Sequence, residues 1–245
     1  MEIDGWLNNL AKSVVRINVS VRDKEGNGTG LVFNEDGEIL TCAHVVKPDG
    51  LEADYIKAYD SQGNYLGLPE TVRLDELHDV AVLRIKELKG KCEWVNYDEV
   101  KIPSDCYTLG FPLGLRHLTF VKGSVSAKGA NLVKELPFNI IEIEGRVNRG
   151  NSGGPVIDAS SGKVIGLVTM KYIPFLTSID ELRKFVRSLP TMQPGGVGID
   201  GISFGAFFNY VKDGFNIVSD ALMMVQVGLA WVIPTDTLRM HIGDY

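Results

Sequence analysis

Three separated stretches carry side chains that could act together on a carbonyl group. Gly150-Asn151-Ser152-Gly153-Gly154-Pro155 sets a serine among glycines, where a tight turn exposes Oγ and leaves the backbone N–H groups available. Gly150 tolerates positive φ, so its N–H and that of Ser152 can point at one spot. Two convergent donors beside a hydroxyl stabilise the oxyanion formed in acyl transfer. Thr41-Cys42-Ala43-His44-Val45-Val46 supplies an imidazole, and His78-Asp79-Val80-Ala81-Val82-Leu83-Arg84-Ile85 supplies a carboxylate at the head of an apolar run. A serine hydroxyl needs a general base near neutral pH, where imidazole titrates. The imidazole needs a carboxylate on its other nitrogen to fix the tautomer and stabilise the imidazolium. His44, Asp79 and Ser152 supply base, orienter and nucleophile in the order His…Asp…Ser. Alone, the hexapeptide also reads as an ordinary Gly/Ser/Pro turn; the agreement of three segments carries the chemistry.

Other reactive side chains have simpler readings. Cys42, two residues before His44, is the alternative thiol nucleophile, but is expected as a small buried hydrophobe. His78 adjoins Asp79, and neighbours on a strand face opposite ways, so it reads as bystander surface. His117 and His241 lack any signature. Gly196-Val197-Gly198-Ile199-Asp200-Gly201 matches a dinucleotide-binding pattern, yet no strand leads into it and the match reads as coincidence. No metal ligand set and no organic cofactor are implied.

The elements that must position these groups are mostly strands. Val14–Val21 alternates and is β-branched; Leu31–Phe33 and Glu38–Cys42 flank Asp36-Gly37, a hairpin turn; Gly26–Gly30 reads as a further turn. More strands are expected at 54–60, 65–68, 79–85, 106–110, 118–128, 138–146, 156–158, 163–171 and 227–233. A short helix is expected over Trp6–Lys12, and a linker over 86–105. Many short strands with Gly/Asp turns point to an all-β barrel or sandwich.

Composition bounds the rest. The 245 residues suit one large domain or two packed halves, and 44% hydrophobic with 23% charged residues is ordinary for a globular protein. A net charge of −6 argues against nucleic-acid or anionic-membrane partners. The first ten residues lack the pattern of a signal peptide, and no apolar run reaches bilayer length. Three cysteines (Cys42, Cys92, Cys106) are odd in number, so free thiols and a reducing, cytoplasmic compartment are expected.

Taken together the sequence resembles the trypsin-like serine peptidases, and within them the HtrA-type branch. The resemblance rests on Gly28-Thr29-Gly30-Leu31-Val32, Asp36 to Thr41 with Ala43-His44-Val45-Val46, and His78 to Leu83. It continues through Leu109 to Gly114, Gly123 to Ala127, Asn148 with Gly150 to Pro155, Val164 to Val168 and Gly228 to Pro234. It implies two packed six-stranded antiparallel β-barrels of chymotrypsin type with the triad between them. The halves would be 1–100, carrying His44 and Asp79, and 101–245, carrying Ser152. It further implies an oxyanion hole from Gly150 and Ser152, and a protein or peptide substrate. By the same resemblance the primary specificity pocket draws on Arg146, Val147, Thr169, Met170 and Gly228. If Arg146 floors that pocket, acidic substrate side chains are favoured. If Val147 faces it and Arg146 reaches solvent, small or medium apolar side chains are expected, and this is the less costly arrangement.

Three departures stand out. Asn151 replaces the aspartate with which digestive relatives capture a new N-terminus, so zymogen cleavage is not the expected switch. No PDZ domain follows before Tyr245. Residues 172–226 replace a short loop with a largely helical insertion. Within it Ser178-Ile179-Asp180-Glu181 is a capping-box pattern, and Ile179, Leu182, Phe185, Val186 and Leu189 fall on one helical face before Pro190. Phe204, Phe208, Val211, Phe215, Val218, Leu222 and Val225 then alternate four and three, an apolar helical seam. The seam would lie on the chain's own barrel or serve as a lid, an oligomerisation element or a seat for an activating partner. Beside the peptidase stand two alternatives, a chaperone-like binding module and a protease latent until activated.

Overall fold

The computed structural model describes residues 3–129, 138–172, 182, 184–193, 198–199, 202–224 and 228–242. Met1–Tyr172 with Gly228–Tyr245 form one compact unit, and Ile173–Val227 form a second. The chain opens with helix α1 (Ile3–Ala11) and strand β1 (Val14–Val21). β1 is buried along nearly its whole length because it is a central strand, flanked by β2 (Lys24–Val32) and β4 (Tyr55–Tyr59). Arg22 and Asp23, both at positive φ, form the two-residue loop joining β1 to β2, the geometry that matches strand twist.

β2 corrects an expectation. Gly26–Gly30 is extended rather than a turn, with Ile17 opposite Gly28 and Arg16 opposite Thr29. Gly28 is there for close approach: a Cβ would collide with Val45. β3 (Glu38–Thr41), β5 (Tyr65–Gly67), β6 (Glu70–Asp75) and β7 (Val80–Arg84) complete a seven-stranded sheet in the order β5-β4-β1-β2-β3-β7-β6. Among the described residues no ladder closes β5 onto β6, so within the expected pairing of two β-halves this one is a seven-stranded half-barrel rather than a closed barrel of six strands. The extra strand, β6, reads Glu-Thr-Val-Arg-Leu-Asp and is largely exposed, with too little apolar content to signal itself.

The second half does close. β8 (Ser104–Gly110), β9 (Thr119–Gly129), β10 (Ile140–Glu144), β11 (Pro155–Asp158), β12 (Val164–Tyr172) and β15 (Leu229–Pro234) form a six-stranded antiparallel barrel. Val125, Ile141, Val156, Ile165 and Val232 fill its interior. A second apolar cluster runs from Ile17, Leu31 and Leu83 of the first sheet to Leu109, Ile157 and Ile233 of the barrel, and so packs the two halves together. A last helix, Thr235–Ile242, was not anticipated; it begins where Thr235 is buried and its Oγ1 donates to Ile165 O at 3.1 Å.

In the second unit, β13 (Gly198–Ile199) pairs with β14 (Ile202–Ser203), and one helix spans Phe204–Met224. Of the expected seam, Phe208 and Phe215 are half-buried while Phe204, Val211 and Val218 are exposed. Residues 184–188 are helical, with Val186 buried; the capping-box residues Ser178–Glu181 and Val225 lie outside the described residues. Among the described residues no helix is long and apolar enough to cross a membrane.

Candidate active site

β3 ends at Thr41, and after Cys42 the chain turns into the short helix α2 (Ala43–Val46), which carries His44. Asp79 sits immediately before β7 at φ +55, a left-handed conformation that costs a non-glycine residue and clusters at functional sites. The two segments are clamped by backbone. Ala43 N–H donates to Asp79 O at 3.1 Å and His44 N–H donates to Asp79 Oδ1 at 2.9 Å. Side chain then meets side chain, with His44 Nδ1 2.8 Å from Asp79 Oδ2 and 3.0 Å from Oδ1. A carboxylate only accepts, so Nδ1 carries the proton and the lone pair is on Nε2. The imidazole is 45% exposed and the carboxylate 21%: the working face of the ring is open and its support is covered.

Asp79 also accepts the hydroxyl of Thr169. Thr169 lies where the β12–β15 register slips between Val168, opposite Val232, and Met170, opposite Trp231. A bulge leaves one residue unpaired and re-aims its groups, and Thr169 uses both. Its hydroxyl holds Asp79, while its carbonyl accepts the Ser152 hydroxyl at 3.1 Å. Burial works to raise the Asp79 pKa, but the hydrogen bonds and charge of His44, with the Thr169 hydroxyl, outweigh it and hold the carboxyl below its ordinary value.

Ser152 stands on a loop whose carbonyls are tied back one after another. Leu113 N–H donates to Arg149 O at 2.7 Å, Thr29 Oγ1 to Gly150 O at 2.6 Å, Gly154 N–H to Asn151 O at 2.8 Å and Thr29 N–H to Ser152 O at 2.8 Å. In a trans peptide the N–H points away from the preceding carbonyl. Fixing the 149 and 151 carbonyls therefore turns the N–H groups of Gly150 and Ser152 the other way. Among the described residues neither has an acceptor. Gly150 has φ +96, and a Cβ there would run into the Phe111 carbonyl. Leu113, at φ +56, is strained in the segment that restrains Arg149. The Ser152 hydroxyl makes no hydrogen bond to His44 among the described residues; its partner is Thr169 O.

Thr29 is the residue that sequence reasoning passed over. Fully buried in β2, it donates twice to the serine loop, accepts the Phe111 N–H on Oγ1 at 3.1 Å and accepts the Thr41 hydroxyl on its carbonyl at 2.7 Å. A threonine between two glycines was the available signal, masked by reading the stretch as a turn. Asn151 is fully buried, and neither amide atom has a partner among the described residues.

The remaining candidates fall as follows. Cys42 is buried, and its thiol donates to Val168 O at 3.2 Å. Burial above all, with the Asp79 charge beside it, pushes its pKa well above the ordinary thiol value, so it is no nucleophile. Arg146 is exposed and shares a shallow depression with Gly228, Glu144 and Phe120. Val147 is packed among the barrel-core residues, and the Met170 side chain lies outside those described. His78 is not bystander surface. Its Nδ1 lies 2.6 Å from Asp75 Oδ2 and its ring contacts those of Phe138 and His241.

Similarity to known proteins bears on the family and on the fold. A family model described as "Trypsin-like peptidase domain" matches residues 28–167. The magnetosome formation protease MamE of Magnetospirillum gryphiswaldense is 34% identical over 161 residues, 64% of this chain and 20% of that protein. A probable periplasmic serine endoprotease, DegP-like, of Chlamydia trachomatis is 35% identical over 144 residues, 58% of this chain and 28% of that protein. The chain thus spans well under a third of the length of these relatives, and the second one's name does not support the cytoplasmic compartment expected from the cysteines. Among solved structures, the HtrA-type protease AlgW with tripeptide superposes with TM-score 0.67 at 21% identity, covering 100% of this chain and 65% of that one. The active form of the Rv3671c protease from M. tuberculosis gives 0.61 at 20% identity, covering 99% and 86%. At such identities these two speak for the fold alone, a chymotrypsin-like pairing of β-halves. The matched segment contains His44, Asp79 and Ser152 and exceeds half of the chain, which belongs to the trypsin-like peptidase domain family, with MamE and DegP-like protease relatives.

Proposed function

We propose that this protein is a serine endopeptidase that works through Ser152, His44 and Asp79. The observation that carries the reading is the His44–Asp79 pair: Nδ1 held by a shielded carboxylate at 2.8 Å, with Nε2 left on the open side of the ring. In the mechanism, the Ser152 hydroxyl swings off Thr169 O towards Nε2, a change of side-chain rotamer rather than of backbone. His44 takes the proton as Oγ bonds to the substrate carbonyl carbon, and Asp79 stabilises the imidazolium. The Gly150 and Ser152 N–H groups receive the oxyanion, held in place by the ties on the 149–152 carbonyls. His44 returns its proton to the leaving amine. Water, deprotonated by His44, then attacks the acyl carbonyl; the acyl–Oγ bond breaks, His44 returns the proton to Ser152 Oγ and the new carboxyl end leaves.

The resting hydroxyl favours a second element of the proposal, latency. Ser152 is hydrogen-bonded to Thr169 O rather than to the base, so substrate binding on the β12 edge would compete for that carbonyl and release the nucleophile. Substrates are proposed to be peptides or unfolded proteins with small or medium apolar side chains at the cleaved position, because Arg146 is exposed and supplies no buried cation.

The test is covalent labelling by a fluorophosphonate probe of the wild type and Ser152→Ala, with and without unfolded casein. Labelling of the wild type, enhanced by casein and absent in Ser152→Ala, is expected. Labelling that persists in Ser152→Ala, or no labelling under either condition, refutes the assignment. Strong labelling that casein leaves unchanged refutes latency alone.

A further inference from the structure

A second cluster of reactive side chains lies outside the triad. Asp75 ends β6, His78 sits in the turn before Asp79, and His241 is in the last helix. One ligand atom from each falls within 4.8 Å of the other two. The carboxylate is set in advance: Oδ1 accepts the Leu77 N–H at 2.9 Å and the His78 N–H at 3.1 Å, which aims Oδ2 at the two imidazoles. His78 Nδ1 lies 2.6 Å from that oxygen, and His241 Nε2 lies 3.5 Å from it. Among the described residues the His241 Nε2 atom is shut off from solvent and makes no hydrogen bond. A buried ring nitrogen without a hydrogen bond is a costly group to leave unsatisfied, and here it faces the carboxylate oxygen that His78 Nδ1 already approaches.

We infer that Asp75, His78 and His241 form a binding site for a divalent transition-metal ion of the zinc class. Two imidazoles and one carboxylate are the donor types that borderline ions select, with water in the fourth position. Metal–ligand bonds of about 2.0–2.1 Å in tetrahedral array set ligand atoms roughly 3.3 Å apart. The Asp75–His241 separation of 3.5 Å already suits this. The Asp75–His78 contact has to open by about 0.7 Å, which follows when an ion replaces the shared proton and the His78 ring takes its Nε2–H tautomer. Side-chain exposures of 25%, 21% and 12% for Asp75, His78 and His241 put the cluster close to the surface. The hydrogen bonds to Asp75 Oδ1 give the site the outer support that metal ligands need. Arg73, on the same strand, is a cation that opposes binding. An ion here would fasten the last helix to the turn that presents Asp79.

The test uses the full chain, stripped with chelator and titrated with Zn²⁺ by calorimetry, with Co²⁺ as a visible-absorption probe and thermal melting as a separate readout. One ion per chain is expected, with a rise in Tm through preferential binding to the folded state. His241→Ala and the near-isosteric Asp75→Asn should each weaken binding roughly 10-fold or more and abolish the Tm rise. His44→Ala and His117→Ala should bind as the wild type does; the first matters because Cys42, His44 and Asp79 also cluster within 4.8 Å. If His241→Ala does not fold, Asp75→Asn decides alone. Absence of stoichiometric binding, equal binding by Asp75→Asn and wild type, or loss of binding in His44→Ala overturns the inference. None of these readouts depends on peptidase activity.

Discussion

Thr29→Val replaces one side chain by another of nearly the same shape and removes only the hydroxyl. That hydroxyl donates to Gly150 O at 2.6 Å and accepts from Phe111 N–H at 3.1 Å, both in buried surroundings. Two buried backbone groups would lose their partner, each at about 1–3 kcal/mol. They share one oxygen and are not independent, so a loss of about 2–4 kcal/mol is expected. Thr29→Ser keeps the hydroxyl and loses a methyl group, about 1 kcal/mol. Urea unfolding followed by tryptophan fluorescence separates the two variants. The same substitution frees the 150–151 peptide, so fluorophosphonate labelling should slow about 10- to 100-fold in the valine variant and much less in the serine variant. A valine variant no less stable than the serine variant, or one that labels at the wild-type rate, would refute the view that this hydroxyl holds the serine loop.

Three further outcomes follow from the same geometry. Burial pushes Cys92 and Cys106 up to about 12 and Cys42 well above its ordinary value; iodoacetamide at pH 8 should therefore modify no cysteine in the native protein and all three after denaturation, as read by mass spectrometry. Asp79 is held below its ordinary value in the folded state, so the stability it contributes is complete above the unfolded pKa of about 3.9 and is lost as pH falls through the lower folded value; Asp79→Asn should flatten that acid limb in denaturation measured from pH 2 to 6, and an unchanged limb argues against the pair. Asn151→Asp places a carboxylate where neither amide atom has a partner, so its folded pKa rises and the destabilisation relative to wild type should grow above about pH 4 to several kcal/mol by pH 7; equal stability at pH 7 would point to an unseen donor.

Much of this was legible in the sequence wherever a local rule acts. β1 signals itself by a β-branched run and the long helix by its apolar spacing, because these depend on residues near one another in the chain; Asp36-Gly37 marks the β2–β3 hairpin, but its loop is four residues, 34–37, rather than two. The stretch 26–30 misled for the same reason. Glycines mark turns locally, but here β1 pairs alongside and Val45 fills the space of a side chain. β6 stayed hidden because it is largely exposed and satisfies its backbone on β7 without an apolar pattern.

The sequence by itself supplied His44, Asp79 and Ser152 as candidates in that order, the β-rich character of both halves and the free cysteines. Only the tertiary structure decided that Thr29 anchors the serine loop, that the Thr169 bulge serves both Asp79 and Ser152, and that Asp75, His78 and His241 converge. Each of these joins residues far apart in the chain; Thr29 and Gly150 are 121 positions apart and still 2.6 Å from donor to acceptor. Such pairings arise from strand register and sheet packing, which a motif read along the chain does not encode.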